Sequence, residues 1–169
     1  YAKENAFATI NEAQVEAAYK EAMAPFERTA GSGSEGPYQV QYDLQNMMQA
    51  NVGIVRLQNE MESALEGIQK LKARAGTVAV QGHLEYNPGW HTAIDLKHLL
   101  TVSEAITLCS LDRKESRGGH FREDFPDKDP EAAKYNSVVF KAPDGSMKLR
   151  REPILPMPAE LKTVIEEMK

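Results

Sequence analysis

The sequence predicts a mainly α-helical domain: a three-helix, up-down-up bundle with an extra helix before it and a β-hairpin plus a short helix after it. Three observations predict this. Apolar residues recur in steps of three and four through 37–50, 56–75 and 87–114. A capped helical pattern at 11–26 stands ahead of a Gly/Ser-rich stretch. Beyond residue 126 the period shortens from 3.6 toward 2 on either side of Ala142-Pro143-Asp144-Gly145, a tight-turn sequence.

The first helix opens at Asn11, whose short side chain suits an N-cap. Gln14 completes a capping-box pattern, and Ile10 and Val15 stand at staple spacing. Val15, Tyr19, Met23 and Phe26 fall on one face, and Pro25 marks the last turn or a kink. Residues 30–36 (AGSGSEG) read as a flexible linker. Gly31, Gly33 and Gly36 also show dinucleotide-loop spacing, but that loop needs a strand leading in and a helical pattern precedes it here. Pro37 suits the first turn of the second helix, with Val40, Leu44, Met47 and Met48 as its stripe.

The third helix, 56–75, carries the strongest periodicity: Leu57, Met61, Ala64, Ile68, Leu71 and Ala75, with Gly76 as its stop. Glu62 and Glu66 precede Lys70, Lys72 and Arg74 on the far side, in the order the helix dipole favours, which reads as a solvated face. The fourth helix, from Asn87-Pro88 to Lys114, is apolar around much of its circumference, so its own bundle or a neighbouring domain should bury it on most sides. Strands at 137–141 and 147–151 flank the turn, and Leu161, Val164, Ile165 and Met168 mark a last helix at 159–168. The fold so predicted is a three-helix bundle of the spectrin-repeat kind, divided as an extension (1–29), a linker (30–36), a bundle (37–125) and a hairpin-containing tail (126–169).

A net charge of −5 argues against nonspecific binding to nucleic acid or anionic membrane. The single cysteine, Cys109, leaves no internal disulfide or cysteine zinc site, and its apolar helical setting reads as a buried, unreactive thiol. No run has the roughly 18 apolar residues of a membrane-spanning helix, and no basic-then-apolar signal-peptide pattern is expected in this sequence. A chain opening on Tyr1 is expected to be a segment of a longer protein. His83, His91, His98 and His120 form no i,i+4 pair, so no metal site is expected.

Polar chemistry is concentrated in one place. Between Asp112 and Asp129, 11 of 18 residues are charged, with Gly118-Gly119 breaking the run. Arg117 and Arg122 flank His120, with Glu115, Glu123 and Asp124 in pairing range. Two readings follow: an anion site built on arginine forks, or an ion-paired corner at a helix end where the glycines turn the chain.

These residues resemble a known signature. Arg113, Glu115, Ser116, Arg117, Gly118, Gly119 and His120, followed by Arg122, Asp124 and Pro126, are similar to the R-x-E-S-R-G-A-H-x-R-x-D-x-P motif. That motif belongs to the C-terminal domain of the succinate dehydrogenase/fumarate reductase flavoprotein family, which includes L-aspartate oxidase. Leu44, Gln45, Met48, Val52, Gly53 and Arg56 look like that domain's first helix and turn, and Asn87 also fits. The hairpin and the "REPI" run are similar to the family's tail. Gly119 stands where the family has alanine, "NPGW" replaces its usual entry to the long helix, and the linker is unusually rich in glycine.

The resemblance implies an enzyme that moves hydride between succinate or fumarate and FAD, passing electrons to an iron–sulfur subunit. No residue here matches the family's FAD or dicarboxylate ligands, so catalytic, cofactor and metal residues are none, and FAD belongs to the parent chain. The segment alone should be inactive. Its implied work is docking, through the corner at Arg113–Asp124, onto the FAD-binding domain of the same chain, and presenting surface to the iron–sulfur subunit or an assembly factor. Neither nucleic acid nor direct membrane insertion is implied, and the parent would be cytoplasmic, held at the inner face of the membrane by partner subunits. A stand-alone helical interaction module and the equivalent domain of L-aspartate oxidase are the alternatives.

Overall fold

Described in a computed structural model are residues 3–4, 6–28 and 34–168. They form five helices, α1 (Glu12–Glu27), α2 (Pro37–Asn51), α3 (Gln58–Ala75), α4 (Pro88–Asp112) and α5 (Ala159–Glu167). Strands β1 (Val55–Arg56) and β2 (Phe121–Arg122) pair in parallel, and β3 (Tyr135–Lys141) and β4 (Met147–Pro153) form an antiparallel hairpin. The mainly helical class, the extra N-terminal helix, and the hairpin followed by a short helix are all present. The linker reading falls largely on residues 29–33, which lie outside the described residues.

The chain divides into two compact units, residues 1–46 with 68–101 and residues 47–67 with 102–169. In the first, Asn11 caps α1 by accepting from the Gln14 amide at 3.3 Å. Val15 and Tyr19 on the leading turns of α1 stay exposed, whereas Pro25 is buried. The indole N–H of Trp90 donates to the Ala22 carbonyl at 2.7 Å, and the Trp90 and Phe26 rings meet at 5.4 Å. The Pro25 carbonyl accepts from the Val80 amide at 2.9 Å. Around these bonds Val40, Leu44, Ile68, Leu71, Val78, Leu96 and Leu100 are buried, so the last turns of α1 are held by the 76–80 segment and the start of α4. Asn87 organises that start: its side chain donates to the Gln81 and His83 carbonyls and accepts from the Trp90 amide.

Arg74 departs from the solvated-face expectation. Its guanidinium ion-pairs with Glu35 and Asp43, at 2.6 Å to the latter. An arginine at a helix end reaches carboxylates that sequence spacing does not bring near it.

The second unit has a small core of Val52, Met61 and Ala64, with Met48 and Leu111 packed against it. Its hairpin turns at Gly145, with φ +82°, and is tied to the end of α4. There Asp112 accepts from Ser137 Oγ at 3.0 Å and from Arg151 at 2.8 Å. On α5, Leu161, Val164 and Ile165 remain exposed, as does Met168 at its C-cap.

Two helix ends differ from expectation. The third helix starts at Gln58, because Val55–Arg56 pair with β2. The fourth stops at Asp112, two residues short of the expected Lys114. The chain leaves the helix there, and Arg113 and Arg117 both turn onto Glu115 between them. The apolar circumference of α4 is also only partly covered: Leu96 and Leu100 are buried, while Leu99, Val102 and Ile106 are exposed. Cys109 is half-buried, and burial pushes its thiol up, away from thiolate.

The turn out of α2 depends on Gly53. A Cβ there would stand 2.6 Å from the Gln49 carbonyl oxygen, a backbone atom that cannot swing away. Gly53→Ala is expected to destabilise the protein by about 1–3 kcal/mol, measured as a lower denaturation midpoint.

Candidate functional site

The charged stretch folds into a closed corner of the second unit. The Arg117 amide donates to the His120 carbonyl at 2.8 Å and the His120 amide donates back at 3.0 Å. Gly118-Gly119 form the two-residue loop between them, and Gly118 has φ +59°, a backbone that favours glycine.

Two buried ions of opposite sign hold this loop. Glu115 is fully buried. Its Oε1 accepts from Arg113 Nε at 2.8 Å and Arg117 Nε at 3.0 Å; its Oε2 accepts from Arg117 Nη2 at 3.0 Å and the Asp129 amide at 2.8 Å. The Arg117 bonds above all, with those from the Asp129 amide and Arg113, outweigh burial and hold its pKa down at about 2. Arg122 is also fully buried. Its Nε and Nη2 fork onto Asp124 at 2.7 and 2.6 Å, and Nη1 donates to the Ser110 carbonyl at 3.0 Å. The guanidinium lies 4.9 Å from the centre of the Phe125 ring. The Arg122 fork lowers the pKa of Asp124. Asp124 Oδ2 also accepts from the Gln58 amide at 3.1 Å, so a residue 66 positions away caps α3.

Ser116 and His120 complete the corner. Ser116 Oγ accepts from the Arg122 amide at 2.9 Å and reaches the Phe125 carbonyl at 2.9 Å. Arg56 Nη1 lies 2.7 Å from His120 Nδ1, and His120 Nε2 lies 3.0 Å from the Arg113 carbonyl. Arginine only donates and a carbonyl only accepts, so both bonds require neutral imidazole with its proton on Nε2. Burial, followed by the charges of Arg56, Arg122 and Arg113, lowers the His120 pKa despite the Arg113 carbonyl bond.

All nine residues singled out from the sequence therefore meet here. Arg56, Ser110, Asp129 and Ala132 also belong, the last by accepting from Arg113 Nη2 at 2.8 Å. Of the two readings, the ion-paired corner is the one the bonds describe. Arg122 directs each of its three nitrogens to a protein acceptor, and Arg117 engages Glu115 and the Asp129 carbonyl. Among the described residues no buried side-chain nitrogen or oxygen lacks a partner, and no cluster is placed to hold a metal ion.

The sequence matches the family model described as fumarate reductase flavoprotein C-term over residues 41–165. The chain belongs to that family. It is 30% identical over 125 residues to the fumarate reductase flavoprotein subunit of Mycobacterium tuberculosis, covering 73% of this chain and 21% of the relative. It is 34% identical over 124 residues to the corresponding Helicobacter pylori subunit, covering 72% of this chain and 17% of that one. Its structure resembles Mycobacterium smegmatis Sdh1 in complex with UQ1, with a TM-score of 0.85 and 38% identity over 94% of this chain and 27% of that one. The chain thus spans roughly a fifth to a quarter of the length of these relatives.

Members of this family are oxidoreductase flavoproteins. The setting of Gly31, Gly33 and Gly36 does not fit a dinucleotide loop. The glycine spacing at 31–36 lies partly outside the described residues, and the element leading into it is α1, a helix, where a dinucleotide loop needs a strand. No helix among the described residues is long and apolar enough to cross a membrane.

Proposed function

We propose that this chain is the domain of a succinate dehydrogenase/fumarate reductase flavoprotein that braces the FAD-binding domain and offers surface to the iron–sulfur subunit or an assembly factor. In this reading hydride transfer between succinate or fumarate and FAD takes place in the rest of the parent chain. The segment itself is inactive, and its corner at Arg113–Asp124 is the docking element.

One observation carries the reading: an exposed apolar surface adjoins the closed corner within the second unit. Val55 and Phe121 are register partners in the β1–β2 pairing, and both are exposed, as is the neighbouring Ile54 at 77%. Apolar side chains grouped on a rigid, ion-paired support are what a docking surface requires.

The double variant Ile54→Ser, Phe121→Ser tests this. Both side chains are exposed, so the stability of this chain should change by no more than about 0.5 kcal/mol per site. In the full-length enzyme the expected result is loss of bound flavin or of the co-purifying iron–sulfur subunit, with a matching fall in succinate-dependent electron transfer. A fully assembled, flavin-loaded enzyme with unchanged turnover would refute the docking role.

A further inference from the structure

A cavity of about 440 Å³ opens in the first unit, among α1, the end of α3, Val78 and α4. It exists because small residues meet there: Ala18 and Ala22 on α1, Ala75 and Gly76 at the end of α3, and Ala93 on α4. Ile94, Leu100, Val78 and Pro25 complete an apolar interior. The volume falls within the roughly 300–1,000 Å³ of small-molecule sites, which are likewise mostly apolar with a few polar groups.

The charges lining it are one-sided. In a chain of net charge −5, the lining gathers Arg28, Lys72 and Lys97 against a single acid, Glu21. Arg28 and Lys97 have protein partners. Arg28 Nη1 donates to the Val78 carbonyl at 2.9 Å, and Lys97 ion-pairs with Glu21 between α4 and α1. The site therefore combines an apolar interior with the charge of Arg28, fixed by the Val78 carbonyl, while Glu21 offsets Lys97 and would repel a second negative group.

The geometry points to a binding site for a small amphipathic monoanion, a carboxylate on a short acyl or aryl body, with the apolar part against the alanines and the carboxylate toward Arg28, Lys72 and Lys97. None of these residues belongs to the corner or to the proposed docking surface, so the inference stands or falls separately from that function.

The test is calorimetric titration of octanoate, and of neutral octanamide, into the full-length protein, into Ala93→Leu, which fills the cavity, and into Arg28→Gln, which removes the fixed charge. Octanoate should bind at least about tenfold more tightly than octanamide, and Arg28→Gln should weaken it about tenfold, the size of one charge-assisted hydrogen bond. Ala93→Leu should abolish the heat of the same event. Should Ala93→Leu fail to fold, the Arg28→Gln and octanamide comparisons still decide. Absence of heat with octanoate, equal affinity for the amide, or binding insensitive to Arg28→Gln overturns the proposal.

Discussion

Arg122→Ala should destabilise the second unit by about 3–5 kcal/mol, the usual cost of removing one partner from a buried ion pair. Arg122 is fully buried and Asp124 is the carboxylate on its fork. Truncation strands that carboxylate and leaves the Ser110 carbonyl, at the end of α4, without its donor. It also removes the guanidinium from the face of Phe125. Arg122→Lys is expected to recover less than half of the loss, because one ammonium cannot reach both Asp124 oxygens and the Ser110 carbonyl in the geometry of the fork. Denaturant titration measures both variants as a fall in midpoint at constant slope. Hydrogen exchange adds a local readout: the Gln58 amide, bonded to Asp124 at 3.1 Å, should exchange faster once Asp124 loses its anchor. A loss below about 1 kcal/mol for Arg122→Ala would put the pair among ordinary surface ion pairs and remove the basis for calling it the brace of the corner.

How much of this was legible depended on how local each signal was. The Asn11 cap, the α3 stripe and the Asp144-Gly145 turn are decided within four residues of chain, and the structure carries all three. The end of α4 was placed two residues too late because Asp112, Arg113 and Lys114 follow the apolar pattern that ends at Leu111 with no Gly or Pro to stop the helix. A signal did exist there: Arg113, Glu115 and Arg117, then Arg122 and Asp124, pair at a spacing of two, which is not the three- or four-residue spacing of neighbours on a helix. Arg56 and the 129–132 segment entered the corner unannounced, since Arg56 lies 64 residues from His120. The same holds for Asp124 capping α3 and for Arg74 finding Glu35 and Asp43. Side-chain bonds across 31 to 66 residues follow from the fold and have no local pattern.

The second large effect is a loss of stability in acid that occurs in two stages. Glu115 titrates near 2 in the folded protein, against an ordinary value of 4.5. The unfolded chain therefore takes up this proton first as the pH falls. The stability Glu115 contributes is complete above about pH 5 and is lost as the pH drops toward 2. His120 has a folded pKa below its ordinary 6.5, so its contribution is complete above that value and starts to fall at higher pH than the carboxylate's. Glu115→Gln should cost about 3 kcal/mol at pH 7, since Arg113 and Arg117 lose their shared counter-charge. The gap between wild type and Glu115→Gln should then close as the pH approaches 2, where the wild-type carboxyl is itself protonated. His120→Gln should remove the upper stage alone. Urea titrations at half-unit pH intervals resolve the two stages. A wild-type to Glu115→Gln difference that stays constant from pH 7 to pH 2.5 would show that the charge of Glu115 is not what holds the Gly118-Gly119 turn.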